Sequence, residues 1–175
     1  MKSRTFTPGF SNETINSGPQ PQLKKASIKI IDDLNIISGH ELIKCIVAAE
    51  SSKDNRDFRS LAEQSFDELK NIPGLRFPEK DELLDYLDEY KELFTPLVFA
   101  AVASVEEFGT SSQISVELYR DPEIYDRYIV VYVRQYSYDD DIMDRIDMIC
   151  NEYEKYISDT DGWMMITTDF KPPAD

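Results

Sequence analysis

The apolar residues of this chain change their spacing most sharply at Gly109, and that change decides the class of fold open to it. Ahead of Gly109 they recur at three- and four-residue intervals: Phe58, Leu61, Ala62, Phe66 and Leu69, then Leu83, Leu84, Leu87, Tyr90 and Phe94. Such spacing belongs to helices with one face on a core. Beyond it, Ile114, Val116 and Leu118 alternate with Ser115, Glu117 and Tyr119, and Ile129, Val131 and Val133 alternate with Tyr128, Tyr132 and Arg134. Two-residue alternation is the period of a strand. Helices first and strands afterwards predict an α+β fold with segregated layers.

The punctuation between these segments gives the organisation. Residues 1–22 hold Pro8, Gly9, Gly18, Pro19 and Pro21 among small polar residues, and read as a disordered or loosely docked tail. The stretch Lys24–Ile37 fits a helix slightly better than a strand. Ser38 with Glu41 three residues on forms a capping box for a helix through about Ala49. Pro73-Gly74 closes the helix carrying Phe58 and Phe66, and another follows Pro78. Thr95-Pro96 suits a new start, Thr95 as N-cap and Pro96 in the first helical position, for the apolar run Leu97–Val105. That run is apolar on nearly every side and too short to span a membrane, which predicts a central buried helix.

After Gly109 the two alternating runs read as an antiparallel hairpin joined by a connection longer than the tightest turns. A helix with Ile142, Ile146, Ile149, Tyr153 and Ile157 inward comes next, then a third strand over Trp163–Thr168. The expected arrangement is a single domain over 23–175. Its helical part occupies about 23–108, and a β-β-α-β layer with a mainly antiparallel three-stranded sheet occupies about 112–171. The third strand either runs parallel beside the second or antiparallel beside the first, and the second choice is favoured.

Charge narrows the partners. The formal net charge is −15, yet residues 1–25 carry +3, so the rest of the chain carries −18. An acidic body repels phosphate backbones, which argues against direct nucleic-acid binding; the same field would attract a basic protein partner, and it also serves plain solubility. Cys45 and Cys150 lack the spacing of a disulfide framework or zinc site. Met1–Phe10 contains no apolar signal core, so a cytoplasmic location and no membrane partner are expected.

Few residues suggest catalysis. Asp139, Asp141 and Asp144, with Asp140 between them, form the one acidic cluster that could hold a divalent ion, although their spacing departs from a calcium loop. Their simpler role is to complement the positive end of the helix that follows. The acids Glu79, Asp81, Glu82, Asp85, Asp88, Glu89 and Glu92 read as a solvated helix face, or as a docking strip for a basic partner. His40, the sole histidine, has no patterned ligands nearby, and Cys45 and Cys150 read as small hydrophobes. Asp169 ends a strand, where a local side-chain turn or a ligand contact both suit it. No GxSxG, P-loop, GxGxxG or HExxH sequence occurs, and no cofactor is predicted.

The remaining asymmetry is aromatic: eight of the ten tyrosines lie at or after residue 119. Tyr119, Tyr128, Tyr132, Arg134 and Tyr136 are expected together on the sheet face opposite Ile129, Val131 and Val133, covered at least in part by the preceding helices. Tyrosine suits recognition because it offers large area, few rotors and a polar tip. The reading that follows is a non-catalytic protein-binding protein, an acidic inhibitor or antitoxin-like partner or an assembly subunit. Two alternatives stand beside it. One is a divalent-metal-dependent enzyme or small-ligand binder using Asp139, Asp141 or Asp169. The other is a homodimer formed through the tyrosine face.

Overall fold

The computed structural model describes Ile46, Ala48, Ser51 and residues 54–109, 111–123, 126–157 and 160–174. The readings of residues 1–22, of Lys24–Ile37, and of His40 and Cys45 lie outside these residues; Ile46 and Ala48 are helical, as the capping box at Ser38 predicts for that segment. Helix α1 spans Asn55–Leu69, opened by Asp54, whose carboxylate accepts from the Arg56 N–H at 2.9 Å. This satisfies one of the donors that a helix start leaves without a partner. A short strand, β1 (Leu75–Arg76), follows the turn at Gly74, whose φ of 85° is open to glycine at little cost.

Helix α2 (Lys80–Glu89) runs through a 3₁₀ turn, Lys91–Leu93, into α3 (Phe94–Phe108). The α3 start corrects the expected cap. The helix begins at Phe94, so Thr95 is buried inside the first turn and Pro96 sits where its missing N–H is not needed. In the rest of α3 only Glu106 and Glu107 escape burial, which makes it the central helix that its all-round apolarity predicts. Gly109, with φ of 72°, ends it by donating its N–H to the Val105 carbonyl.

Strands β2 (Gln113–Arg120) and β3 (Arg127–Arg134) pair antiparallel in full register, with Ile114 opposite Val133, Val116 opposite Val131 and Leu118 opposite Ile129. Helix α4 (Ile142–Ile157) buries all five of its predicted stripe residues, and β4 (Met164–Thr167) closes the sheet.

The sheet differs from the expected three-stranded, mainly antiparallel one. It has four strands in the order β1-β2-β3-β4, and two of its three pairings, β1 with β2 and β3 with β4, are parallel. Two facts account for this. The edge of β2 that an antiparallel third strand would have used is taken by β1, with Leu75 opposite Ile114 and the Ile114 N–H bonded to the Gly74 carbonyl at 2.8 Å. Parallel pairing also needs a crossover that returns the chain to the starting end. Sixteen residues of α4 reach about 24 Å, close to the length of an eight-residue strand.

Among the described residues, helices α1–α4, the helical Ile46 and one face of the sheet contribute to one core. Phe58, Phe66, Leu84, Leu87, Phe94, Val98, Ile146 and Tyr153 join Ile114, Val116, Ile129, Val131, Val133, Met164 and Ile166 in a single buried cluster. Val130, on the opposite face, is buried too but stands outside that cluster. Helices therefore layer on the aliphatic side. Among the described residues the segment 169–174 meets the other side, through Asp169 on Arg134 and Ala174 on Gln113.

Candidate protein-binding face

The side chains of β2 and β3 that point away from the core form two facing rows: Gln113, Ser115, Glu117 and Tyr119, against Arg134, Tyr132, Val130 and Tyr128. Tyr119 and Tyr128 are direct cross-strand partners, with ring centroids 4.9 Å apart and planes inclined by 35°. Both are half-buried, so each presents part of a ring and a hydroxyl outward. Partial burial, the neighbouring Tyr119 and the acids Asp126 and Asp121 all raise the Tyr128 pKa, which keeps the hydroxyl a neutral donor. The surround at this end of the hairpin is acidic.

At the other end Arg134 organises the surface. Its side chain is only 12% exposed. Nη1 donates to Glu117 at 2.8 Å, Nη2 donates to Asp169 at 2.9 Å, and Nε spans both Asp169 oxygens at 3.2 Å. Its guanidinium lies 4.8 Å from the centre of the Tyr132 ring. A fork of fixed donors matched to two carboxylates and laid on an aromatic ring is a use of arginine that lysine could not reproduce. Burial would raise the Asp169 carboxyl, but hydrogen bonds from Arg134 and Lys171 outweigh it and hold the carboxyl at about 2. Tyr132 is shifted up, by burial first and then by Glu117 and Asp169.

Asp169 makes the local turn expected of its position, and its other partners lie within the fold. It accepts from the Lys171 N–H at 3.1 Å, the local turn, and it meets Glu117 across Arg134. The segment after it is fixed by groups that the alternation did not single out. Gln113 donates to the Ala174 carbonyl at 2.8 Å and accepts from the Ala174 N–H at 3.1 Å, while the Tyr138 hydroxyl donates to the Lys171 carbonyl at 2.6 Å. Gln113 was within reach of sequence reasoning, one step back along the row that holds Ser115 and Glu117. Tyr138 was not, since it lies beyond the strand.

Tyr136 lies beyond the strand that carries Tyr128, Tyr132 and Arg134. β3 ends at Arg134, so alternation no longer places Tyr136, and its side chain is 77% exposed with no ring or polar contact among the described residues. Asp139, Asp141 and Asp144 are exposed at the start of α4. The backbone carbonyls of Asp139 and Asp141 accept from Ile142 and Arg145, and the Asp139 carboxylate faces Arg145 at 3.8 Å. No group of three or more metal-ligating side chains converges among the described residues.

The acidic run on α2 has compensation that its own sequence hides. Arg59 of α1 holds Asp85 and Asp88 at 2.8 and 2.7 Å, Arg120 holds Glu82 at 2.6 Å, and Arg127 holds Glu89. Its cations come from α1 and the hairpin, which periodicity along one helix cannot reveal. Cys150 packs against the core, and burial raises its thiol pKa, which disfavours the thiolate. No described helix is long and apolar enough to cross a membrane. Comparison with family models, with curated proteins and with solved structures gives no match, so the reading of this face rests on its own chemistry.

Proposed function

We propose that this is a non-catalytic protein-binding protein whose contact surface is the tyrosine face of β2 and β3, and whose partner is basic. One observation carries the reading: the helices share their core with the opposite face, while Tyr119 and Tyr128 stay half-exposed as a tilted cross-strand pair beside Asp121, Glu123 and Asp126. Aromatic anchors inside an acidic rim suit a basic protein surface. The rings supply contact area, and the rim supplies steering and register. A chain acting as inhibitor, antitoxin-like partner or assembly subunit would use such a face without chemistry of its own.

Site-specific photocrosslinking tests this. A photoreactive amino acid in place of Tyr128 should capture a basic protein in the native source at low salt, with yield falling as ionic strength rises. The same group in place of Met148, which is exposed on α4, should not. Equal capture from both positions, or capture only from position 148, contradicts the proposal.

A further inference from the structure

We infer that the groove between the tyrosine face and residues 76–79 binds an extended partner segment carrying a carboxylate, a basic residue two positions on and then a proline pair, and that residues 169–174 are a resident competitor for it. The inference rests on the protein-binding reading and names the chemistry of the segment bound. Its template is Asp169-Phe170-Lys171-Pro172-Pro173-Ala174, which this chain lays in the groove itself.

The contacts to that template read a main chain and a carboxylate more than particular side chains. Arg134 takes both oxygens of Asp169. Tyr138 donates to one carbonyl, and the Gln113 amide makes a reciprocal pair with the N–H and carbonyl of a single residue, Ala174. A side-chain amide matched to both polar groups of one residue is indifferent to what that residue carries. Recognition of extended segments elsewhere works the same way, main-chain hydrogen bonds giving affinity and a few pockets giving choice.

The walls are built and the occupant is light. With residues 169–174 seated on them, Gln113 is 7% exposed and Arg134 is 12% exposed at its side chain, so a segment that displaces those residues has to offer the same hydrogen-bonding groups to compete. Residues 169–174, by contrast, contribute nothing to the core. Phe170 is 64% exposed and holds a φ of 54°, a left-handed conformation unfavourable for a phenylalanine. A segment free of that strain, offering the same groups, competes on favourable terms. Beside the resident segment the groove opens into a cleft of about 350 Å³ lined by Pro78, Glu79, Glu117, Arg134 and Pro172. Lys171 pairs with Asp169 of its own segment at 3.2 Å, while Glu79 and Glu117 line the cleft beside it, and this acidic lining suits a basic partner.

A fluorescent peptide with the sequence of residues 169–174, titrated into the full chain, tests the inference by anisotropy. In Asp169→Asn the resident segment loses its charged grip on Arg134, so the peptide should bind about tenfold tighter than to the wild type, because the competent open state is more populated. Adding Gln113→Ala to that variant should remove the gain, and so should replacing the peptide's own aspartate by asparagine. The peptide change carries the test even if the Gln113→Ala chain fails to fold. Equal affinity for wild type and Asp169→Asn, or no binding to either, overturns the inference. Crosslinking from position 128 is unaffected by that outcome: with the peptide silent and crosslinking intact, the groove is wrong and the face stands. Peptide binding without crosslinking would refute the face.

Discussion

The two faces of one hairpin differ in every physical respect. Ile114, Val116, Leu118, Ile129, Val131 and Val133 alternate along β2 and β3 with Gln113, Ser115, Glu117, Tyr119, Tyr128, Val130, Tyr132 and Arg134. The first set is buried in a core shared with helices α1–α4. The second contains one aliphatic residue among polar and aromatic ones, and it is joined by ion pairs and hydrogen bonds. A sheet face required only to cover a core would be served by short polar side chains toward water. On the proposed reading the large aromatic side chains left half-exposed beside acids serve a partner, and the contrast then separates what these strands do for stability from what they would offer to it.

The comparison is broken most forcefully from the aliphatic side. Ile129→Ala removes a fully buried side chain opposite Leu118 and should lower unfolding free energy by about 3 kcal/mol in urea titrations. A loss under about 1 kcal/mol would mean that the core is not where the alternation puts it. On the other face the largest loss belongs to Arg134. Arg134→Met leaves Glu117 and Asp169 facing each other without their shared cation, and should cost about 2 kcal/mol. A neutral result would reduce the cluster to a surface ion pair.

Asp169→Asn should cost about 1 kcal/mol at pH 7, with a pH dependence that identifies the cause. The Asp169 carboxyl is held at about 2 when folded, against an ordinary value of 3.8. A folded pKa below the unfolded one means that the contribution is complete above about pH 4 and is lost as pH falls through about 2. The gap between wild type and variant should therefore close over that window in acid melts, and a gap that persists below it would point to packing instead of charge. An effect of the same size is expected at the far end of the tyrosine face. Tyr119→Ser with Tyr128→Ser removes one cross-strand aromatic pair, and should cost about 1 kcal/mol of stability.

Which parts of this were legible in the sequence follows from the range of the interactions involved. The α4 stripe, the burial of α3 and the hairpin pairing all come from local period, and each stands in the fold as the alternation of residues predicts. Strand β1 was invisible because two residues carry no period. The place of β4 depends on who already occupies the edge of β2, a long-range question that local pattern cannot pose. In the candidate site, alternation brings Tyr119, Tyr128, Tyr132 and Arg134 to one face, and its reach stops at Arg134, where the strand ends ahead of Tyr136. The partners of Arg134 lie 17 and 35 residues away, and only the folded chain brings Glu117 and Asp169 to one guanidinium.

The division of labour between the faces is tested most directly by partner capture with the paired variant. Wild type and Tyr119→Ser/Tyr128→Ser are immobilised side by side, exposed to the native source, and compared for bound protein and for melting temperature. The account predicts a basic protein retained by the wild type and lost from the variant, with melting temperatures a few degrees apart at most. An unchanged set of bound proteins would contradict it, and so would a variant that loses its partner only because it no longer folds.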